Sequence, residues 1–108
     1  MVDRFQKKVA ERFHPKAILV EVPFEYVSEA GQRVTGFMDL LLETATGWVV
    51  IDHKSFPGPR KDWEAKALSY SGQLKFYRDA LKSSGRQCAG LWIHFAVGGG
   101  LVEIRENS

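Results

Sequence analysis

The beginning of the chain changes from a helical to an extended pattern of apolar positions. Between Val2 and Phe13, apolar side chains recur every four residues, which predicts an amphipathic helix. The His-Pro pair that follows ends it, because a residue before proline is disfavoured in the helical region. Ile18 to Val27 is then predicted as a strand. Pro23 favours an edge position for this strand, since proline cannot donate a ladder hydrogen bond.

Two further apolar runs predict a hairpin in the middle of the chain. Arg33 to Glu43 is apolar apart from a few positions, and Trp48 to Ile51 consists of β-formers. Only Thr44-Ala45-Thr46-Gly47 separates the two runs, which suits a tight turn. The second strand ends as the chain enters the proline-rich segment after Ser55.

The last part of the chain predicts a helix and two more strands. Apolar residues at helical spacing extend from Trp63 to Ser83, with Asp62 as N-cap and Gly85 as terminator. Cys88 to Val97 and Leu101 to Arg105 are predicted as strands joined by a glycine-rich hairpin. The strand-helix-strand step makes a parallel crossover. We therefore predict an α/β fold with a mixed five-stranded sheet in the order 1-2-3-4-5, flanked by helices.

Length and composition indicate an ordinary globular chain. Its 108 residues suit one domain, and 44% hydrophobic and 26% charged residues are typical of soluble proteins. No apolar run approaches the roughly 20 residues of a membrane span. A single cysteine excludes an internal disulfide and agrees with a reducing, cytoplasmic location.

The net charge of +2 does not by itself indicate nucleic-acid binding. Basic residues concentrate between the third and fourth strands, as a rim for phosphates or as a solvated helix face: Arg60, Lys61, Lys66, Lys75, Arg78, Lys82 and Arg86.

Charged residues in the predicted hairpin are the first indication of chemistry. A turn centred on Ala45 and Thr46 places Asp39 directly opposite Asp52, and alternation puts Lys54 on the same face as Asp52. Two carboxylates so close raise one another's pKa unless a cation joins them. Mg²⁺ or Mn²⁺, which take oxygen ligands and keep several waters, would remove this conflict. The competing interpretation is a solvated strand end, although an unpaired Asp39 among apolar neighbours would cost several kcal/mol.

Glu21 is a candidate third ligand. If the first hairpin is centred on Ala30, Glu21 faces Asp39, whereas a shift of half a residue places it opposite Leu40. An edge-strand carboxylate with a local cation partner explains Glu21 equally simply.

On the long helix, Gln73 and Tyr77 are four residues apart and lie along one edge of the apolar stripe. Gly72 in the same helix costs around 1 kcal/mol relative to alanine, which predicts close packing there.

Three short motifs occur in order on these elements. They are Gly36-Phe37-Met38-Asp39, Ile51-Asp52-His53-Lys54 and Gln73-Leu74-Lys75-Phe76-Tyr77. Together they resemble the G-x-x-D, D-x-K and Q-x-x-x-Y hallmarks of the PD-(D/E)XK nuclease superfamily, and in particular its RecB-type branch. Glu21-Val22-Pro23-Phe24 and Tyr70-Ser71-Gly72-Gln73 resemble the nuclease module at the C-terminus of UvrD/AddA-type helicases.

The resemblance implies a fold, a reaction and a set of roles. The fold is a restriction-endonuclease-like αβββαβ core, and the reaction is metal-dependent, exonuclease-type cleavage of DNA fed as single strands by a helicase in recombination and repair. Asp39, Asp52 and the backbone carbonyl of His53 would hold Mg²⁺ or Mn²⁺. Lys54 would orient the attacking water and stabilise charge on the phosphate, while Gln73 and Tyr77 would support the site or contact the nucleic acid.

One departure from the RecB-type pattern leaves a second function open. That branch commonly carries a metal-binding histidine on a helix upstream of the first strand, and the only upstream histidine here is His14, next to proline. We therefore expect residues 1–108 to form one domain at the C-terminus of a longer helicase-nuclease. The alternative is a catalytically incomplete module that binds only DNA or a partner.

Overall fold

A mixed five-stranded sheet lies at the centre of the computed structural model, which describes residues 4–105. The helices are α1 (Arg4–Phe13), α2 (Trp63–Ser69) and α3 (Ser71–Ser83), and a 3₁₀ turn (Arg60–Asp62) precedes α2. The strands are β1 (Ala17–Val27), β2 (Arg33–Thr44), β3 (Gly47–Lys54), β4 (Cys88–Phe95) and β5 (Gly100–Glu103).

The strand order confirms the predicted topology. The strands lie side by side as β1-β2-β3-β4-β5, and only the pairing of β3 with β4 is parallel. The β2–β3 register is also as predicted, since Leu40 faces Ile51 and Leu41 faces Val50. Pro23 lies in β1, at an edge of the sheet. None of the helices described between residues 4 and 105 is long and apolar enough to cross a membrane.

Each face of the sheet has its own apolar core. On one face, α2 and α3 pack against residues that include Leu41, Val50 and Phe95. On the other, Val9 of α1 packs against Leu40 and Ile51 and their neighbours. Because β3 contributes to both faces, it is buried from Val49 to Asp52. A site at the carboxyl end of β3 is therefore held by a strand that is buried on both faces of the sheet.

The predicted continuous helix from Trp63 to Ser83 is wrong, because the helix breaks at Tyr70. This residue has φ −97° and ψ −1°, and its N–H donates to the carbonyl of Ala67 in a 3₁₀-type bond. The Ser69 hydroxyl donates to the carbonyl of Lys66. Side chains that bond nearby carbonyls compete with helical hydrogen bonding, which favours a break at this serine. Asp62 precedes α2 as expected but makes no side-chain capping bond.

The remaining predictions about glycines and element ends are confirmed in part. Gly85 ends α3 with φ 80°, as predicted. No atom of the described residues lies within 4 Å of a Cβ placed on Gly72, so the expected close packing is wrong. Strands β4 and β5 end two residues earlier than predicted. The first two residues of the predicted N-terminal helix, Val2 and Asp3, lie outside the described residues.

Candidate active site

A matched irregularity in β1 and β2 turns Asp39 toward β3. Met38 and Leu41 pack in the same core although they are three positions apart, an odd spacing, so the alternation of side chains shifts by one between them. Opposite on β1, Glu21 has φ 50°, a conformation that non-glycine residues rarely adopt. Neither Glu21 nor Asp39 belongs to a ladder pair, while the pairs on both sides, Val20–Leu40 and Val22–Met38, keep one register. The two acids therefore mark a local break in the β1–β2 ladder, with one unpaired residue on each strand and no change of register.

The Asp39 carboxylate is fixed to the backbone of β3. The regular β2–β3 pairs end at Leu40–Ile51, and beyond them the N–H of His53 donates to Asp39 Oδ2 at 2.8 Å. The Asp39 and Asp52 carboxyl groups are neighbours, and Asp39 contributes to the raised pKa of Asp52. The sequence predicted that Asp39 lies directly opposite Asp52; the register agrees as far as Leu40–Ile51, but at Asp39 the bond from the His53 N–H takes the place of a 39–52 ladder pair.

Asp52 is the only buried charged residue among residues 4–105, with 3% of its surface exposed. Burial, together with the neighbouring Asp39 carboxyl group, raises the pKa of Asp52 from 3.8 to about 6, against the opposing effect of Lys54. Lys54 Nζ lies 3.1 Å from Asp52 Oδ2 as an ion pair. That contact lacks hydrogen-bond geometry, so Oδ2 has no hydrogen-bond partner in the described part of the chain. Two adjacent acids are thus incompletely compensated by one ammonium group.

A chain of hydrogen bonds connects Lys54 to α3. Its ammonium group donates to Gln73 Oε1 at 3.0 Å, and Gln73 Nε2 donates to the hydroxyl of Tyr77 at 2.8 Å. The same ammonium lies 4.7 Å from the centre of the Tyr70 ring. Burial, and then the negative charges of Asp52 and Asp39, raise the pKa of Tyr77 to about 12. Tyr77 is therefore neutral near pH 7.

Gly36 of the first motif affects the same series of hydrogen bonds through its packing. A Cβ on Gly36 would lie 3.1 Å from Cε1 of Phe24, closer than ordinary van der Waals contact. The Phe24 ring in turn meets Tyr77 edge to face, with ring centroids 5.1 Å apart. The absence of a side chain at position 36 thus lets Phe24 support Tyr77. Sequence reasoning did not identify Phe24, because only the fold brings β1 under α3.

The acids suit a hydrated Mg²⁺ or Mn²⁺ ion and do not form a complete protein cage. Within residues 4–105, no three His, Cys, Asp or Glu side chains are grouped so as to hold a metal. Mg²⁺ is usually bound by one or two carboxylates and keeps several waters, so the pair at 39 and 52 fits it. Asp52 Oδ2 accepts no hydrogen bond within the described residues, and the pKa of its carboxyl group is raised; a divalent cation would relieve both.

Glu21 does not form a three-residue metal-binding group with Asp39 and Asp52. It is exposed, and with Asp39 it lines a cavity of about 560 Å³ beside α1. Its role as a ligand stays a prediction, as does that of the His53 carbonyl.

Of the three histidines, His14 lies away from the two acids, whereas His53 and His94 line the same cavity as Asp39 and Glu21. His14 is exposed and lines a different cavity, with Thr44 at the β2–β3 turn. His53 and His94 face each other on the parallel strands, with their Nδ1 atoms 2.9 Å apart, and Phe5 stacks on His94 with centroids 3.9 Å apart. His94 is therefore a hydrogen-bonded sheet residue. Its partner was not predicted, because the β3–β4 register is invisible in the sequence.

Comparison with known proteins agrees with this geometry. A family model of the PD-(D/E)XK nuclease superfamily matches residues 1–106, nearly the whole chain. The curated proteins contain no significant match. The matched region includes both acids, the lysine and the Gln-Tyr pair, on the predicted order of strands and helices. This chain therefore belongs to the PD-(D/E)XK nuclease superfamily.

Proposed function

We propose that this chain is a divalent-metal-dependent deoxyribonuclease domain that hydrolyses phosphodiester bonds of DNA. One observation carries the proposal: Asp39, Asp52, Lys54, Gln73 and Tyr77 form an unbroken series of contacts at the end of β3. The left-handed backbone at Glu21 and the buried carboxylate of Asp52 both cost stability, and a protein without chemistry at this position has no use for either.

Asp39 and Asp52 are the residues that would hold Mg²⁺ or Mn²⁺, with the carbonyl of His53 as a further oxygen. When bound, such an ion lowers the pKa of water and neutralises charge on the phosphoryl oxygens. The bond from His53 N–H holds Asp39 in place before any ion arrives. Preorganised ligands reduce the cost of assembling the site.

Lys54 places a fixed positive charge beside the scissile phosphate. Its Nζ is restrained by Asp52, Gln73 and the Tyr70 ring, so the ammonium does not need to reorganise during reaction. A preorganised charge of this kind stabilises the negative charge that develops as water adds to phosphorus and the ester oxygen leaves. The same ammonium orients the attacking water. Gln73 and Tyr77 act through Lys54 by fixing its direction.

The order of the three motifs supports a narrower assignment within the superfamily. We propose a RecB-type domain with exonuclease action on single-stranded DNA, in the C-terminal part of a longer cytoplasmic protein. A helicase domain of the same or a partner chain supplies the strand during recombination and repair. His14 lies far from Asp39, so an upstream metal-binding histidine would have to come from outside residues 4–105.

If no upstream histidine completes the metal site, a second function follows. A catalytically incomplete module would bind DNA or a partner without cleaving it. Calorimetric titration with Mn²⁺ separates the two, because the nuclease binds the ion through Asp52 and loses binding in Asp52→Ala. Absence of Mn²⁺ binding in the wild-type chain would favour the module.

Lys54→Ala tests the nuclease directly. We expect a folded protein whose cleavage of a labelled single-stranded oligonucleotide in Mn²⁺ falls by about 10²-fold or more, the effect of removing one preorganised electrostatic group. Lys7→Ala removes the same charge from the exposed surface of α1 and serves as the control. Equal cleavage by both variants would exclude Lys54 from the reaction.

A further inference from the structure

Lys66 of α2 is a cation held by aromatic rings next to the candidate active site. Its Nζ lies 5.5 Å from the centre of the Tyr70 ring and 5.5 Å from that of Phe56. The Tyr70 ring is the same one that contacts Lys54. Lys66 forms no ion pair with a carboxylate among residues 4–105. It is half-buried, unlike most of the other basic residues around it.

Aromatic support leaves the charge of Lys66 available. A ring attracts an ammonium group through its quadrupole but carries no net charge to neutralise it. Lys54, by contrast, has its charge opposed by Asp52 at 3.1 Å. The two rings therefore restrict where Lys66 points while its full positive charge remains for an anion.

Resting on the proposed function, we propose that Lys66 forms a second phosphate subsite, which binds the phosphate next to the scissile one. The distances of Lys54 and Lys66 to the Tyr70 centroid place their nitrogens at most about 10 Å apart. Successive phosphates rise by about 3.4 Å along the axis of B-DNA and are farther apart in an extended strand, so two neighbours can reach both lysines. The site thus selects a polynucleotide over an isolated phosphodiester.

Binding without catalysis gives the first test. The affinity of Lys66→Gln for labelled oligothymidylate is measured by fluorescence anisotropy in EDTA across a salt series. We expect affinity to fall about tenfold, because one charge-assisted contact with a phosphate oxygen is lost. The slope of log K against log[salt] should shrink by about 0.7, the single-strand value for one phosphate. Lys7→Gln, with the same change in charge on α1, should leave both unchanged.

Cleavage of short substrates gives the second test. The dinucleotide d(TpT) has one phosphate, and the trinucleotide d(TpTpT) has two. For the wild type, KM should be lower for the trinucleotide than for the dinucleotide. For Lys66→Gln, KM should be the same for both substrates, and kcat should be unchanged. A merely structural role of Lys66 would impair both substrates equally, and that result would overturn the subsite.

The outcomes separate the two proposals. If wild type cleaves nothing, the nuclease proposal fails, but the salt slope still decides whether Lys66 binds phosphate. An unchanged slope and affinity in Lys66→Gln would remove the subsite even if cleavage is normal. Urea unfolding of both glutamine variants confirms that each is folded.

Discussion

Replacing Asp52 with asparagine is expected to stabilise the metal-free protein while abolishing its activity. The folded state holds the Asp52 carboxyl group at a pKa of about 6, compared with 3.8 in an unfolded chain. Each unit of difference is worth 1.36 kcal/mol, so the ionised carboxylate lowers the free energy of unfolding at neutral pH by about 3 kcal/mol. The opposing attraction of Lys54 is already contained in this net shift. Asparagine is neutral and nearly the same shape, and removes the penalty.

The pH dependence has a definite sign. Below pH 3.8 the carboxyl group is protonated in both states, and the variant should match wild type. Between pH 3.8 and about 6 the unfolded chain loses its proton first, so wild type becomes less stable as pH rises, and the difference stays constant above that range. The variant should therefore gain about 3 kcal/mol over wild type at pH 7.5.

Urea unfolding in EDTA at pH 4 and pH 7.5 measures this difference. Asp62→Asn is the control, because Asp62 is exposed and makes no side-chain capping bond. Added Mg²⁺ should raise the stability of wild type in proportion to its binding but leave Asp52→Asn unchanged. Equal stability of wild type and Asp52→Asn at pH 7.5 in EDTA would refute the reasoning.

Three further substitutions test the supporting contacts. Tyr77→Phe removes the hydroxyl that accepts from Gln73; we expect kcat to fall several-fold with KM unchanged, and rate measurements that show only a KM effect would contradict a positioning role. Gly36→Val places a side chain against Phe24; overpacking should cost about 1–3 kcal/mol in urea unfolding and reduce cleavage, and full retention of both would disprove the packing link. Gly72→Ala meets open space in the described structure, so stability should rise by up to about 1 kcal/mol, and a loss would mean that the position is constrained.

Most of the fold was accessible from the pattern of apolar positions. Strand order and the β2–β3 register followed from short turns, since a tight hairpin leaves few alternative pairings. The continuous helix over residues 63–83 was the main error. Helical periodicity continues through Tyr70, but a local bond from the Ser69 hydroxyl and low propensity around Gly72 interrupt the backbone hydrogen bonds.

The placement of Asp39 shows where prediction from the residues ends. A turn centred on Ala45 and Thr46 predicted that Asp39 lies opposite Asp52, but not the break in the β1–β2 ladder at Glu21 and Asp39. Such a break depends on how both strands pack against the core, and the residue pattern carries little signal for that.

The sequence by itself determined which residues are candidates for the chemistry: two acids and a lysine near strand ends, and a glutamine and tyrosine one helical turn apart. Their spacing is local, so two-residue and four-residue periodicities were enough to assign faces. Only the tertiary structure decided the contacts between elements distant in the chain, such as Lys54 with Gln73, Phe24 with Tyr77, and Lys66 with the ring it shares with Lys54. Those contacts arise when α2 and α3 pack on the sheet, because the packing of side chains between elements sets their separations to within an ångström.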